Sequence, residues 1–184
     1  MLISPAPLPG LFTITPQRHL DGRGFFVEAY NKRALAAAGI HATFVQDNVS
    51  VSTSVGTLRG LHFQTGPYAQ AKLVSVLKGS VRDVVVDLRQ NSPCYGQHFS
   101  ITLTATGGEQ LFIPAGFAHG FITLDENTIF TYKVSNYYSR AHEAGVHFAD
   151  PTLAIQWGVA AENVLISERD QALPSFNPDL LYFR

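Results

Sequence analysis

"KLVSVLKGSVRDVVVDL", residues 72–88, decides the fold class of this chain. Both halves of the stretch are rich in valine and leucine, with apolar side chains recurring every second position, which is typical of β-strands. Between the halves, Lys78-Gly79 has the composition of a tight turn, and we expect a hairpin there. The stretch therefore predicts two consecutive strands with no helix between them.

Comparable strand patterns continue on both sides of this stretch. They lie at residues 11–17, 23–30, 99–105, 109–114, 119–124 and 128–134. Gly107-Gly108 and residues 125–127 separate neighbouring patterns and predict two further hairpin turns. The sequence is therefore organised as many short strands joined by short turns.

Helical signals are few. One short helix is predicted near the N-terminus, from a cap at Asn31 to a terminal Gly39. Residues 160–174 suggest short helical turns near the C-terminus. Many strands with little helix predict an all-β fold, a closed β-barrel or jelly roll, formed as a single domain by residues 1–184.

The composition excludes several classes of protein. The chain of 184 residues is 46% hydrophobic and 15% charged, with a formal net charge of −1. These values are those of an ordinary globular domain, and a nucleic-acid-binding protein would usually carry a basic surplus. The proline-rich start lacks the basic residues of a signal peptide, Cys94 is the only cysteine, and no apolar run has the length of a membrane span. We therefore expect a cytoplasmic protein that binds neither nucleic acid nor a membrane.

The stretch "TLRGLHFQTGPYAQAKL", residues 57–73, places polar side chains on a predicted strand. His62 and Gln64 share one face of that strand, whereas Leu61 and Phe63 share the other. If the polar face lines the inside of a barrel, the apolar face must be covered by another layer or by another subunit. The stretch also brings together Arg59, His62 and Lys72, three potential cations that repel each other, and any anionic ligand of this nearly neutral chain must be met by such a local cluster of positive charge.

A second informative stretch is "GEQLFIPAGFAHGF", residues 108–121. Its spacing of glycine, proline, glycine and His119 resembles the second signature of the cupin jelly rolls. Metal-binding cupins carry a His-x-His pair and a nearby glutamate in their first signature, but here His62 is followed by Gln64 and then by Lys72. A lysine ammonium at a ligand position opposes a divalent cation. We therefore expect a cupin-like fold without a metal.

Eight motifs in constant order extend the resemblance to one family. The motifs are "DGRGFFVEAYN" (21–31), "FVQDNVS" (44–50), "LRGLHFQ" (58–64), "YAQAKLVSVLKGSVRDVVVDLR" (68–89), "SPCYGQ" (92–97), "LFIPAGFAHGF" (111–121), "YKVSNYYS" (132–139) and "ISERD" (166–170). From about residue 10 to about residue 175, the chain resembles the dTDP-4-dehydrorhamnose 3,5-epimerase family. The resemblance implies a dTDP-sugar substrate and no cofactor.

The resemblance also implies a reaction. The substrate is dTDP-4-dehydro-6-deoxy-D-glucose, whose C3–H and C5–H are both acidified by the C4 ketone between them. Removing a proton from one face and returning one to the other inverts each centre, which gives dTDP-4-dehydro-L-rhamnose. Such a reaction needs a base, a cation at the developing enolate oxygen and an acid on the opposite face.

The implied catalytic residues match positions in the motifs. His62 matches the base, and Asp170 matches the carboxylate that orients it. Lys72 matches the cation beside the C4 oxygen, and Tyr132 matches the acid. Without the resemblance, a structural role would be preferred for His62, as a satisfied core histidine, and for Asp170, as a helix-cap or surface aspartate. Lys72 would be an ordinary surface lysine and Tyr132 a packed strand tyrosine.

The implied substrate-binding residues form a longer set. They comprise Arg23 and Arg59 at the diphosphate, Gln46, Asp47 and Asn48 along the nucleotide, Glu28 and Glu143 at the nucleoside, Tyr138 stacked near thymine, and Phe26, Gln64, Lys72, His119 and Arg169 elsewhere in the site. Two positions depart from the family pattern. Arg169 replaces the usual lysine, which preserves the charge but changes the geometry of a contact. Phe63 replaces the usual tyrosine and is expected to point away from His62.

The family further implies a homodimer in which N-terminal strands cross to the partner. Arg23, Phe26 and Glu28 would then complete the neighbouring subunit's site. The stretch "RGFFVEAY" mixes apolar and charged residues on both faces, as expected for a strand with partners on both sides. An edge strand that folds back on its own barrel is the alternative.

Four other functions stay open at this point. An epimerase acting at C3 alone would share all four catalytic residues. A sugar-nucleotide ketoisomerase of similar fold would need a differently placed base. A non-catalytic sugar-nucleotide-binding cupin would need the arginines but no base, and a metal-dependent cupin oxygenase would need ligands that the sequence does not offer.

Overall fold

The computed structural model describes residues 1–183, and its strands form three sheets. The strands are β1 (Leu2–Pro5), β2 (Phe12–Thr15), β3 (Arg18–Asp21), β4 (Gly24–Val27), β5 (Gln46–Ser52), β6 (Leu58–Gln64), β7 (Lys72–Lys78), β8 (Ser80–Asp87), β9 (His98–Thr104), β10 (Gln110–Ile113), β11 (Phe117–Thr123), β12 (Thr128–Val134) and β13 (Glu143–Gly145). One sheet has the order β1-β2-β10-β7-β12-β5, the second has the order β13-β6-β11-β8-β9, and β3 pairs with β4 alone. The pairs inside each sheet are antiparallel.

The two large sheets pack face to face around one apolar core. Val74 and Phe130 of the six-stranded sheet meet Val85 and Phe121 of the five-stranded sheet, and all four are at most 5% exposed. Phe121 and Phe130 stack across this interface with ring centroids 4.1 Å apart. The all-β jelly-roll prediction is therefore confirmed.

All three predicted hairpins are wrong, because each turn crosses between the sheets. Lys78-Gly79 joins β7 to β8, Gly107-Gly108 joins β9 to β10, and residues 125–127 join β11 to β12, and none of these pairs shares a sheet. The composition of a turn predicts a tight reversal of the chain, but it does not predict which sheet the next strand joins. Gly79 has φ +76°, and a Cβ atom there would lie 2.5 Å from Thr128 Oγ1, so the crossing requires glycine.

The predicted helices are present. Helix α1 (Lys32–Ala37) begins after Asn31, whose side chain accepts hydrogen bonds from two backbone N–H groups of the first turn. Near the C-terminus, a 3₁₀ turn at Ala161–Asn163 precedes α2 (Glu168–Gln171), and another 3₁₀ turn lies at Arg140–His142. Within residues 1–183, none of the helices has the length and apolar character needed to cross a membrane.

The sequence did not reveal four of the strands. These are β1, β3, β5 and β13. Strand β5 begins with Gln46, Asp47 and Asn48, which are residues favoured in turns, and its pairing with β12 outweighs that local preference.

The chain's own C-terminal segment covers the outer face of the five-stranded sheet. Leu61 and Phe63 are at most 4% exposed there and pack in one apolar cluster with Trp157 and Phe176. The Phe63 ring lies 5.7 Å from that of Tyr182. The expected cover therefore comes from this chain rather than from a second subunit, and Phe63 points away from the inner face as predicted.

Replacing Leu61 with alanine should destabilise the protein. Leu61 is fully buried under the C-terminal segment, and truncating such a leucine typically costs ~2–5 kcal/mol because a cavity remains. Urea unfolding measures the change. Leu2→Ala is the matched control, since Leu2 is 68% exposed and its loss should change stability by less than about 0.5 kcal/mol. Equal urea unfolding midpoints for the two variants would contradict the packing of the C-terminal segment over Leu61.

Candidate active site

A cavity of about 540 Å³ opens between the inner faces of the two large sheets. His62, Lys72, Tyr132 and Asp170 all line it, although Asp170 is more than 100 positions from His62 in the chain. An adjoining cavity of about 180 Å³ shares the first three of these residues. The four predicted catalytic residues therefore lie around one space.

His62 and Asp170 form a hydrogen-bonded pair. The His62 Nε2 atom lies 2.8 Å from Asp170 Oδ1, and the N–H of Gly60 donates to Asp170 Oδ2 at 3.2 Å. Burial by itself would raise the pKa of Asp170, but the hydrogen bonds from His62 and Gly60 lower it below its ordinary value. Because an ionised carboxylate only accepts hydrogen bonds, Nε2 of His62 carries a proton, and Nδ1 is the basic nitrogen of the neutral ring.

Position 60, next to this pair, requires glycine. Here β6 runs so close to β11 that a Cβ atom on Gly60 would lie 2.5 Å from the Cα atom of Gly120. Its φ of +126° is also one that only glycine adopts readily. A side chain at position 60 would therefore displace the part of β6 from which the N–H donates to Asp170.

Lys72 lies on β7, at the floor of the cavity. Its Nζ atom is 3.5 Å from the backbone oxygen of His62. Burial lowers the pKa of Lys72 to about 8, and the negative charges of Asp83 and Glu143 oppose the shift. The ammonium form therefore depends on nearby anions, and an anionic ligand would stabilise it further.

Asp83 is a residue of this site that the sequence analysis missed. His119 Nε2 lies 2.9 Å from Asp83 Oδ2, and both side chains are buried. Burial lowers the pKa of His119 despite the adjacent carboxylate, and this favours the neutral imidazole. The other carboxylate oxygen, Oδ1, is buried without a hydrogen-bond partner among residues 1–183. One signal was available, since Asp83 is an acid between Val81 and Val85 on the inward face of a valine-rich strand.

Tyr132 lies on the inner face of β12 and lines both cavities. Burial raises the pKa of its phenol, although the positive charge of Arg59 acts in the opposite direction. The phenol is therefore protonated at neutral pH and available as an acid.

Three predicted binding residues contact one another at the edge of the adjoining cavity. The Tyr138 hydroxyl donates to Glu143 Oε2 at 2.6 Å, and Arg169 forms an ion pair with the same oxygen at 2.5 Å. Burial opposes ionisation of Glu143, but the hydrogen bonds from Tyr138 and Arg169 keep its pKa below the ordinary value. Arg169 thus occupies a defined position beside Asp170.

The other predicted binding residues fall into three groups. Arg59 and His119 line the larger cavity, whereas Gln46, Asn48 and Gln64 line the smaller one. Asp47, Arg23, Phe26 and Glu28 line neither.

The side chains outside the cavities have local partners or face solvent. Asp47 pairs with Lys133 on the outer surface, and Arg23 is 91% exposed and pairs with Asp21. Phe26 is 70% exposed, and Glu28 accepts a hydrogen bond from Asn31. This subunit alone does not bring these residues to the cavity.

No three His, Cys, Asp or Glu side chains converge as a possible metal site within residues 1–183. In the larger cavity, both histidines are instead paired with carboxylates. Lys72 lies in the same cavity and lines it together with them.

Replacing Asp83 with asparagine should lower the pKa of Lys72 further below its native value of about 8. The amide keeps the shape of the side chain but removes the negative charge that stabilises the buried ammonium. NMR titration of ¹³C-labelled lysine measures the change. Asp125→Asn is the control, because Asp125 is an exposed acid bonded to Ser80 and should leave Lys72 unaffected. An unchanged or raised pKa in Asp83→Asn would refute this electrostatic link.

Comparison with known proteins gives a consistent result. The family model described as dTDP-4-dehydrorhamnose 3,5-epimerase matches residues 5–178. A curated protein of that name from Shigella flexneri is 44% identical over 164 residues, which is 89% of each chain.

Solved structures extend the comparison. A dTDP-4-dehydrorhamnose 3,5-epimerase from Bacillus anthracis with TDP and PPi bound is 44% identical, has a TM-score of 0.92, and aligns over 95% of this chain and 99% of its own. A 3'-monoepimerase from Streptomyces bikiniensis in complex with dTDP-quinovose is 32% identical, with a TM-score of 0.86 over 93% and 86% of the two chains. The chain described here belongs to the dTDP-4-dehydrorhamnose 3,5-epimerase family.

Proposed function

We propose that the protein epimerises C3 and C5 of dTDP-4-dehydro-6-deoxy-D-glucose to give dTDP-4-dehydro-L-rhamnose. The observation that carries the proposal is the hydrogen-bonded pair of His62 and Asp170 in a cavity that also contains Lys72 and Tyr132. These groups supply the base, the enolate-stabilising cation and the acid that the reaction requires. Family membership identifies the substrate class.

Proton removal is assigned to His62. Its Nδ1 atom takes the proton from the carbon next to the ketone, and the ring becomes an imidazolium. Asp170 accepts a hydrogen bond from Nε2 and is held ionised, so it stabilises the positive charge as it forms. The carboxylate also fixes the orientation of the ring, which keeps Nδ1 as the nitrogen that reacts.

The enolate and its reprotonation are assigned to Lys72 and Tyr132. As the proton leaves, negative charge moves to the C4 oxygen, and the ammonium of Lys72 stabilises it. Tyr132 then delivers its phenolic proton to the opposite face of the same carbon. His62 then releases its proton to solvent and Tyr132 takes one from solvent, which restores the neutral imidazole and the phenol. The same two steps at the second carbon invert the other centre.

The nucleotide is assigned to the cationic and aromatic residues around the cavity edge. Arg59 supplies a forked donor for the diphosphate, and Tyr138 supplies an aromatic face for thymine. The related Bacillus anthracis structure contains TDP and PPi, which supports a nucleotide ligand for this chain. The single cysteine supports a cytoplasmic location.

A C3-only epimerase is the second candidate. The similarity to the Streptomyces bikiniensis 3'-monoepimerase favours it, but at 32% identity against 44% for the 3,5-epimerases that similarity is weaker. The four catalytic groups serve both reactions, so the distinction depends on how the sugar is presented to His62.

Incubation in deuterated water tests the reaction. With dTDP-4-dehydro-6-deoxy-D-glucose as substrate, we expect NMR to show deuterium at both C3 and C5, because each inverted centre acquires its hydrogen from solvent. Label at C3 alone would support the second candidate. The His62→Ala variant should lose at least ~10²- to 10⁴-fold in exchange rate, the usual cost of removing a general base.

His41→Ala is the matched control for that variant. His41 is an exposed histidine outside both cavities, so its removal should leave the exchange rate unchanged. Near-normal exchange in His62→Ala would refute its assignment as the base.

A homodimer with exchanged N-terminal strands completes the proposal. The β3–β4 hairpin carries Leu20, Phe25 and Phe26, which are 82%, 55% and 70% exposed. A contiguous exposed apolar surface of this kind typically marks a protein–protein contact. On the outer face of the six-stranded sheet, Val49 and Leu77 are also exposed. Packing of one subunit's hairpin on its partner would cover such surfaces and bring Arg23 and Glu28 to the partner's cavity.

Subunit exchange between two inactive variants tests this arrangement. If Arg23 serves the partner's site, a mixed dimer of Arg23→Ala and His62→Ala subunits has both lesions in one site and an intact second site. Random exchange should therefore restore roughly a quarter of wild-type activity, because half of the dimers are mixed and each has one good site. If Arg23 serves its own subunit, every site keeps one lesion, and mixing should restore no activity.

A further inference from the structure

Gln64 is a buried polar residue whose amide is fully engaged with backbone. It lies on β6, two positions after His62, and is only 5% exposed. Its Nε2 atom donates to the backbone oxygens of Tyr68 at 2.8 Å and Tyr137 at 3.1 Å. Its Oε1 atom accepts from the N–H of Ser139 at 2.6 Å. Both amide N–H groups are thus used within the protein, and a direct bond from them to a ligand would break an existing one.

Two of these bonds enclose Tyr138. Gln64 holds the backbone groups of the residue before it and of the residue after it, which fixes the path of the main chain through Tyr138. The tyrosine side chain itself is 54% exposed, so apolar packing contributes little to its orientation. The hydrogen bonds of Gln64 therefore restrict the position of Tyr138, which packing of its exposed side chain does not.

The hydroxyl of Tyr138 is held by the neighbouring strand. It donates to Glu143, which stands directly opposite Gln64 in the β13–β6 pairing. Two register partners on adjacent strands thus hold the two ends of one tyrosine, the backbone from β6 and the phenol from β13. Because β6 also carries His62, the ring is fixed relative to the base of the reaction.

We infer that Gln64 is a positioning residue for the nucleobase, which acts by fixing Tyr138 before the nucleotide binds and makes no contact with the nucleotide through its amide. The inference rests on the proposed function, in which Tyr138 stacks on thymine. A ring that is already immobilised does not lose its freedom on binding, which removes part of the entropic cost of association. Gln64 accordingly contributes to affinity through Tyr138.

A double-mutant cycle with dTDP as the probe tests this inference. Gln64→Met preserves the length of the side chain and removes its amide. By calorimetry it should weaken dTDP binding roughly two- to tenfold, the factor expected when one side chain must be ordered by binding. Tyr138→Ala should weaken binding roughly five- to a hundredfold through loss of stacking. In the Tyr138→Ala background, adding Gln64→Met should change affinity less than about twofold, since the residue through which it acts is gone.

A control and a second variant separate positioning from general destabilisation. Thr128→Val removes a buried hydrogen bond from Thr128 to the backbone oxygen of Asp125, away from both cavities, and should lower thermal stability without changing dTDP affinity. Gln64→Asn keeps an amide, but its side chain is one methylene too short to reach the backbone groups of Tyr137 and Ser139. It should act like Gln64→Met and serves if the methionine variant does not fold.

Hydrogen exchange provides a readout that needs no ligand. Peptides covering residues 135–142 should exchange faster in Gln64→Met than in the wild type, because the Ser139 N–H loses its acceptor. Unchanged exchange would overturn the inference, as would full dTDP affinity in both Gln64 variants. An undiminished effect of Gln64→Met in the Tyr138→Ala background would also overturn it, since Gln64 would then act independently of the tyrosine. Failure of the epimerase proposal is seen separately, as absence of deuterium at C3 and C5 with the wild-type protein.

Discussion

The hydrogen bonds of the Asp170 carboxylate connect the C-terminal part of the chain to strand β6 of the five-stranded sheet. It accepts hydrogen bonds from His62 and from the Gly60 N–H, both on β6, while its own backbone belongs to helix α2 near the C-terminus. The segment that leads to this helix also covers the apolar outer face of the sheet that contains β6. One stretch of chain therefore completes the fold on one side of the sheet and the candidate active site on the other.

Charge balance is the second organising feature of the cavity. Lys72 is partly buried, and Arg59 and Arg169 line the same cavity. From the sequence, an anionic ligand was the expected counterpart of this positive charge. The structure adds resident partners, because Asp83 lies close enough to stabilise the Lys72 ammonium and Glu143 binds Arg169. The site is thus partly compensated before any anion enters, which is what the high cost of burying an unpaired charge requires.

Local patterns predicted the local structure well. The valine-rich runs at 72–78 and 80–88 became β7 and β8, and the cap at Asn31 became the start of α1. Side-chain alternation correctly separated His62 and Gln64 from Leu61 and Phe63. The convergence of His62 with Asp170 could not be derived from spacing, because more than a hundred residues separate them, and only the family resemblance indicated it. Asp83 lies inside the valine-rich stretch at 72–88 but was not identified as a site residue, because its partner His119 is 36 positions away in the chain.

The crossing turns determine how such a chain can assemble. From β5 to β13, every connection passes to the other sheet except the one between β8 and β9. Most strands therefore find their hydrogen-bonding neighbours far along the sequence, and few native ladders can form locally as the chain begins to fold. Pairing of this kind closes large loops before it gains contacts, which slows folding relative to a simple series of hairpins. Because the cavity walls come from β5, β6, β7, β11, β12 and α2, a nascent chain has no binding site until nearly all of these elements have been synthesised.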